Sequence, residues 1–418
     1  MRRRNNRPDA PECATETGLR DVIEARAVTA HFQPIVALDS RTTVAVEALS
    51  RGPQNSPFED PAELFGAARR YDLVEELDSV CWTNSLDAAR TVGFAHAYSV
   101  FVNVEPDSLR HLHDDPVRGL GAPYVIEVTE RALMTNPASL VRAVRRAKDI
   151  GHRIALDDLG SNPASLALLP LIDPDVVKID MRLVRNAPDR DAAQIMSTIA
   201  TLAEKGRAVV LAEGIESEQH ALTALALGAT HGQGWLFGRP DARPRYAENT
   251  RGLSLEDRSW PAGEATKTPF DIASAERPVR TSTGGLLFEM SAFLETRARE
   301  SGDSAVVLAT LRDAPASAGF RHRVQRLGQS AGLVVAFSRE GEFLPDEAAV
   351  RSVRLPDDDP LLKEWNLVVL TSDYAAALTA RQVGPDAGSG QQSYSFVLTH
   401  DRDLTVRVAR NLLDRLDA

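Results

Sequence analysis

The chain has 418 residues, of which 43% are hydrophobic and 26% charged, a composition typical of a folded protein with two or three domains. Its formal net charge of −11 argues against a general binder of nucleic acid or anionic membrane, and we expect no DNA partner. Cys13 and Cys81 lack the spacing of a metal site or disulfide framework, which favours a reducing, cytoplasmic location.

The start of the chain is basic, but no apolar core follows it, so the sequence predicts no signal peptide. We expect residues 1–17 to form a disordered basic tail. No apolar run is long enough to span a bilayer, which argues against membrane insertion.

Strand-like and helix-like segments then alternate as far as residue 237. Apolar, β-branched runs predict strands, and apolar residues at helical spacing predict helices. The predicted strands are 31–38, 42–51, 99–104, 124–128, 153–156, 176–180 and 208–212, with a last element at 230–237. The predicted helices are 17–27, 61–70, 74–89, 137–149, 191–205 and 216–227.

This alternation, with strands that look buried on both faces, predicts an α/β fold, and a (β/α) barrel fits better than an open doubly wound sheet. The decisive feature is that a polar residue lies at or near the end of six different strands. In a barrel those ends converge on one mouth, whereas an open sheet would scatter them along an edge. The six residues are Glu47, Asn103, Glu127, Asp157, Lys178 and Glu213.

Asp157 and Asp158 follow the apolar run 154–156 and precede Gly160. Two adjacent carboxylates repel each other, and a pair of divalent ions between such groups is the usual way to keep both ionised. The alternative from this stretch alone is an Asp-rich turn after a strand.

Residues 241–268 are rich in Arg, Pro, Gly, Glu and Ser and predict a linker. A second α/β domain follows, with predicted helices at 284–299, 320–329, 374–381 and 405–416 and strands at 304–310, 332–337, 365–371 and 394–399. It has no clustered nucleophiles, metal ligands or phosphate loop, which favours a structural or sensory role. We therefore divide the chain into 1–17, 18–242, 243–268 and 269–418.

An ordered set of motifs between about residues 20 and 242 resembles the EAL family of cyclic-di-GMP phosphodiesterases. The first motif is Glu47-Ala48-Leu49-Ser50-Arg51. The others lie, in the family's order, at 101–104, 127–130, 157–160, 177–180, 212–216 and 233–240. One tripeptide alone would mean little, but the ordered set is highly specific. The resemblance implies a modified TIM-type barrel that hydrolyses cyclic di-GMP to linear pGpG with two Mg²⁺ or Mn²⁺ ions, commonly as a homodimer.

The resemblance also implies roles for single residues. Glu47, Asn103, Glu127 and Asp157 would ligate one ion, and Asp157 would bridge to a second ion held with Asp158. Oxygen ligands of this kind select Mg²⁺ or Mn²⁺ over zinc. Glu213 would hold a metal-bound water or act as general base, and Lys178 would orient the water or neutralise the phosphate.

Further residues would support this site or contact the substrate. Gln233 would support the network of metal and water, and Arg51 would contact a phosphate. Glu130 is either a carboxylate at a helix start or a residue that holds the next loop. The residues implied to contact the dinucleotide are Gln33, Leu49, Arg51 and Glu216, with Glu216 either at the substrate or behind it.

The loop after Asp158 departs from the family's Phe-Gly-Thr-Gly-Tyr-Ser-Ser, because Asn162 replaces the second glycine and Pro163 stiffens the turn. Two hypotheses follow: an active phosphodiesterase, or a catalytically silent cyclic-di-GMP receptor that signals through its second domain. A third is a structural barrel that binds no nucleotide. The second domain more weakly resembles the DICT sensory module, which implies a regulatory role toward a signal that the sequence does not identify.

Overall fold

A computed structural model describes most of the chain. The described residues are 14–94, 98–105, 108–109, 124–131, 137–159, 163–185, 190–204, 208–244, 252–255, 264, 266–310, 318–339, 350–385 and 392–415. Residues 1–13 of the predicted basic tail, including Cys13, and residues 160–162 of the altered loop lie outside this part. Cys81 is a buried free thiol.

The first eight strands form a closed barrel in chain order. β1 runs antiparallel to both of its neighbours, β2 and β8, whereas the other pairs are parallel. This one reversed strand makes the barrel a modified TIM-type fold, as predicted. The strands are β1 Thr29–Ala37, β2 Thr43–Arg51, β3 Ser99–Asn103, β4 Val125–Thr129, β5 Arg153–Leu159, β6 Val176–Ile179, β7 Val209–Ala212 and β8 His231–Gln233.

Helices surround this barrel and cover the outer faces of its strands. Two of them begin with a side-chain cap. Asp60 precedes Pro61 at the start of one helix and accepts a hydrogen bond from Ala62 N. Ser217 precedes another helix and accepts a hydrogen bond from His220 N. The helices are α1 Glu16–Glu24, α2 Pro61–Tyr71, α3 Val74–Thr91, α4 Pro137–Asp149, α5 Pro163–Ile172, α6 Met181–Arg185, α7 Arg190–Glu204 and α8 Glu218–Ala226.

Apolar side chains close the lower end of the barrel, opposite the mouth. Phe101, Val125 and Leu211 are fully buried there, and Leu253 and Leu255 pack against them from the predicted linker. Leu253 N also donates a hydrogen bond to Val44 O at 3.0 Å. This part of the predicted linker is therefore attached to the barrel.

The second domain is a seven-stranded mixed sheet in the order β12-β11-β10-β13-β14-β15-β9, flanked by helices. Its strands are β9 Arg280–Thr283, β10 Val306–Thr310, β11 Leu333–Ser338, β12 Val350–Arg354, β13 Glu364–Leu370, β14 Ala375–Pro385 and β15 Gln392–Thr399. Its helices are α9 Pro269–Glu276, α10 Gly284–Ser301, α11 Ala318–Gly328 and α12 Arg402–Leu413. The sequence analysis did not predict α9, β9 or β12.

The predicted helix at 374–381 is wrong, because residues 375–381 belong to strand β14. The run Ala375-Ala376-Ala377 has high helical propensity, and this suggested a helix. In the structure β14 pairs with β13 on one side and β15 on the other, and residues 375–380 are all buried. Hydrogen bonding to two neighbours and burial on both faces outweigh the intrinsic preference of alanine.

Among the residues that the structure describes, no helix is both long enough and apolar enough to cross a membrane.

Candidate active site

The barrel brings polar side chains that lie on, or directly after, each of its eight strands to one mouth. Glu47 lies within β2, Asn103 ends β3, Glu127 lies in β4, and Asp157 and Asp158 lie near the end of β5. Lys178 is in β6, Glu213 directly follows β7, and Gln33 and Gln233 lie on the neighbouring strands β1 and β8.

Lys178 lies at the centre of this group, fully buried. Its Nζ is 2.7 Å from Glu213 Oε1, 2.8 Å from Glu127 Oε1, 3.3 Å from Asp157 Oδ1 and 3.6 Å from Glu47 Oε2. Burial alone would lower the pKa of Lys178, but these carboxylates, Asp157 most strongly, raise it well above its usual value. The lysine is therefore a fixed positive charge that holds four acidic side chains around one point.

One ammonium does not balance four carboxylates, and the pKa values of Glu127 and Glu213 reflect this excess. Burial and the nearby Glu47 raise the pKa of Glu127 well above its usual value. Burial also raises the pKa of Glu213 to about 8, against the opposing effect of Lys178. The site therefore holds more negative charge than its own cation neutralises, which favours binding of further positive charge.

Backbone conformation explains how Asp157 and Asp158 both face the mouth. The pairing of β5 with β6 shifts register between Leu156 and Leu159, as in a β-bulge, and Asp158 has a left-handed φ of 58°. Its N–H donates to Asp157 Oδ1 at 2.9 Å. A regular strand would point the two side chains to opposite faces, so this irregular residue creates the paired carboxylates.

The donor set fits a divalent metal ion. Asp157, Asp158 and Glu213 each offer an oxygen within 4.8 Å of the others. Both oxygens of Glu127 are buried, and Oε1 forms an ion pair of 2.8 Å with Lys178 Nζ. Buried carboxylate oxygens are metal-ligand chemistry, and an all-oxygen set suits Mg²⁺ or Mn²⁺.

A chain of amides orients Glu47. Asn103 Nδ2 donates to Glu47 Oε1 at 3.1 Å, and Gln233 Nε2 donates to Glu47 Oε2. Gln233 Nε2 also donates to Gln33 Oε1 at 3.0 Å, and Gln33 Nε2 donates to Gly238 O at 3.0 Å. Gln33 is thereby buried within this amide chain.

Gly234 lets the backbone after Gln233 come close to the backbone of Ile215. It has a φ of 154°, and a Cβ at this position would lie 2.1 Å from Ile215 O. Ile215 N in turn donates to Gln233 O at 3.0 Å. The Gln-Gly pair therefore fixes the backbone after β8 against the segment that follows Glu213.

A cavity of about 300 Å³ opens beside Glu47, Asn103 and Glu127. Leu49 and Arg51 line it, and Arg51 Nη1 donates to Ser50 O at 2.8 Å. The sequence analysis missed the opposite wall, which α3 provides. This wall contains Asp78, Cys81, Trp82 and Ser85. Their helical spacing was the available signal, since Asp78 occupies a position on the apolar face of α3.

Two residues implied by the resemblance lie elsewhere. Glu216 Oε1 pairs with Arg185 Nη2 at 2.7 Å and is not among the described residues that line the cavity. Glu130 is buried directly after β4 and accepts a hydrogen bond from Ser165 on α5. The contact with Ser165 joins the end of β4 to the helix that follows the altered loop.

Comparisons with known proteins match both parts of the chain. A family model described as the EAL domain matches residues 17–240. A second model, the sensory domain in diguanylate cyclases and two-component systems (DICT), matches residues 272–382.

Several curated proteins and solved structures are similar to the first part. The probable cyclic di-GMP phosphodiesterase PdeB of Escherichia coli is 28% identical over 239 residues, 53% of this chain and 44% of PdeB. The cyclic di-GMP phosphodiesterase RocR of Pseudomonas aeruginosa is 27% identical over 268 residues, 60% of this chain and 67% of RocR. A Klebsiella pneumoniae BlrP1 manganese/cy-diGMP complex is 26% identical with a TM-score of 0.46, covering 51% of this chain and 56% of BlrP1.

Proposed function

Since the chain belongs to the EAL domain family, we propose that its barrel hydrolyses cyclic di-GMP to linear pGpG with a pair of Mg²⁺ or Mn²⁺ ions. The observation that carries this proposal is the convergence of four carboxylates within 3.6 Å of the buried ammonium of Lys178. RocR is named as a cyclic di-GMP phosphodiesterase and PdeB as a probable one, although the chain covers less than half of PdeB.

The residues that would hold the ions are Glu47, Asn103, Glu127, Asp157 and Asp158. When bound, a divalent pair would lower the pKa of the attacking water and stabilise charge on the phosphate. The amide chain through Gln233 and Asn103 keeps Glu47 in one orientation. The left-handed backbone at Asp158 keeps the two neighbouring aspartates on one side.

Glu213 would transfer the proton of the attacking water, and Lys178 would offset negative charge on the phosphate. In its ionised form, Glu213 would accept the proton of the attacking water. As the new P–O bond forms and the P–O3′ bond breaks, the proton passes to the leaving 3′ oxygen. Lys178, 2.7 Å from Glu213, would orient that carboxylate and offset charge on the phosphate.

Arg51 and Leu49 line the cavity beside the acidic group, and we propose that they contact the dinucleotide, Arg51 through a phosphate. Gln33 would act mainly by supporting Gln233 and Glu47, since its amide already has two partners. Glu216 would act from outside the cavity, through its pair with Arg185. Assembly as a homodimer and regulation by the second domain complete the proposal.

A turnover assay tests the proposal. Purified protein with cyclic di-GMP and Mg²⁺ or Mn²⁺ is expected to yield pGpG, measured by chromatography, and the Glu47→Ala variant is expected to yield none. The substituted loop at Asn162 and Pro163 supports a second candidate, a silent receptor. Tight binding of cyclic di-GMP by the wild type without pGpG would establish the receptor, and absence of binding would exclude both.

A further inference from the structure

The last helix of the second domain, α12, is seated on the barrel helices α4 and α5. Its buried residues Leu404, Val408 and Leu412 belong to one continuous apolar core with Leu168 and Leu171 of α5. Beside this core, Arg145 of α4 pairs with Asp414 at 3.4 Å, both partly buried. The two domains therefore share packed surface, so that α12 and α5 cannot move independently without opening the core.

Arg410 of α12 completes the end of α5. Its Nε donates to Leu171 O at 2.9 Å and its Nη2 to Pro170 O at 2.8 Å. The last carbonyls of a helix have no partner within the helix, and a cation near them is favourable. Asp173 N already bonds to Leu169 O, but α5 has no basic residue in its own last turn. The guanidinium of Arg410, from the second domain, thus caps the C-terminal end of α5 with two hydrogen bonds. Nearby, Lys148 Nζ donates a hydrogen bond to Asp173 O.

The opposite end of α5 faces the candidate active site. The helix begins at Pro163, four positions after β5 ends at Leu159. Its Ser165 donates to Glu130, which follows β4 and lies three positions after Glu127. Residues 165–172 of α5 are all buried, so packing along this length opposes displacement of either end of the helix on its own.

We propose that Arg410 is a positioning residue for the acidic site. By fixing the end of α5 it holds the start of that helix, and thereby the spacing between Glu127 on β4 and the Asp157–Asp158 pair on β5. A signal that shifts α12 would change the affinity of the site for divalent cations. This inference rests on the proposed function, since it requires that the acidic group binds a metal ion.

The test measures Mn²⁺ affinity of the full chain by electron paramagnetic resonance, together with amide hydrogen exchange of residues 163–172. Arg410→Ala is expected to weaken Mn²⁺ binding by about 3- to 30-fold and to speed exchange in α5. Arg410→Lys keeps the positive charge but cannot donate to both carbonyl oxygens in the same way. Its Mn²⁺ affinity and its exchange rate in α5 are expected to lie between those of the wild type and those of Arg410→Ala. Arg407→Ala is the matched control, because Arg407 on the same helix pairs with Glu264 and Glu276 and not with the barrel.

Different outcomes separate this inference from the proposed function. Faster exchange in α5 with unchanged Mn²⁺ affinity would overturn the inference alone, as would an Arg407→Ala loss equal to that of Arg410→Ala. A wild-type protein without Mn²⁺ affinity would overturn the proposed function and this inference with it. If Arg410→Ala does not fold, the comparison of Arg410→Lys with wild type decides, because an unchanged affinity there contradicts the role of the two hydrogen bonds.

Discussion

At the scale of the residue, the sequence analysis predicted which side chains meet at the mouth of the barrel. It did not predict that Lys178 lies at their centre or that Asp158 has a left-handed backbone. The ends of strands in a closed barrel must converge, so Glu47, Glu127 and Asp157 could be grouped from their positions alone. The central place of Lys178 was not predictable, because it depends on which inward direction each strand presents once the barrel closes. The left-handed Asp158 was hidden for the same kind of reason, since a bulge leaves no signal in hydrophobic periodicity.

The buried ammonium should contribute to the stability of the fold as well as to activity. Replacing Lys178 by Met leaves two buried carboxylates, Glu47 and Glu127, and two partly buried ones without their cation. Loss of one partner from a buried ionic group costs about 3–5 kcal/mol. We expect Lys178→Met to lower the free energy of unfolding by that amount in EDTA, measured by urea denaturation, and Mn²⁺ to restore part of it. Lys363→Met at an exposed position is the control and should change little.

Asp78, which lies outside the acidic group, should make the free energy of unfolding depend on pH. Burial raises its pKa to about 7, while its Oδ2 accepts a hydrogen bond from Glu105 N at 3.0 Å. Because the folded state holds this proton more tightly, stability contributed by Asp78 is present below about pH 4 and is lost as the pH rises through 7.

We therefore expect Asp78→Asn to raise the free energy of unfolding at pH 8 by roughly 2–4 kcal/mol. The gain should shrink as the pH falls toward 4. Urea denaturation of both proteins across this range measures it. An equal gain at pH 4 and pH 8 would contradict the assigned pKa.

At the scale of the element, the barrel followed the sequence pattern more closely than the second domain did. Barrel strands alternate with helices, and each is apolar and β-branched, so that period and composition agree. The error at 374–381 arose where periodicity and composition give no common answer. Alanine favours a helix, but this segment pairs with a strand on each side and is a central strand of the sheet. Short edge strands such as Arg280–Thr283 carry little apolar signal and were missed for that reason.

The glycine after β8 offers a sharp test of local geometry. Gly234→Ala would bring a Cβ into the Ile215 backbone and impose a strained φ, so we expect a loss of about 2–4 kcal/mol in stability. Gly66→Ala is the matched control: nothing lies within 4 Å of its Cβ position inside α2, and we expect a gain of about 0.5–1 kcal/mol. Thermal or urea denaturation of both variants decides.

At the scale of the whole molecule, the two domains form one packed body where α12 meets α4 and α5. The linker-like composition of residues 241–268 indicates only a boundary between the domains and carries no sign of this contact. The contacts that join them come from Arg410 and its neighbours, far along the chain, where no local pattern indicates a partner.

Removal of the second domain should therefore damage the barrel. A chain that ends at Leu255 keeps the linker segment that packs on the barrel. It loses the cap on α5, which alone costs up to about 2 kcal/mol, and exposes the apolar faces of α4 and α5. We expect a lower urea midpoint and stronger binding of a hydrophobic fluorescent dye than in the full chain. A truncated barrel as stable as the full chain would contradict the shared core.

The separation between Arg410 and Leu171 also has a temporal meaning. These two residues lie 239 positions apart. At about 5–20 residues per second, a ribosome needs roughly 10–50 s to travel from one to the other. After β8 has been synthesised, and until the ribosome reaches residue 410, the nascent barrel has all of its strands and acidic ligands but lacks the guanidinium that closes α5. Divalent-cation binding at full affinity would then wait for synthesis of α12.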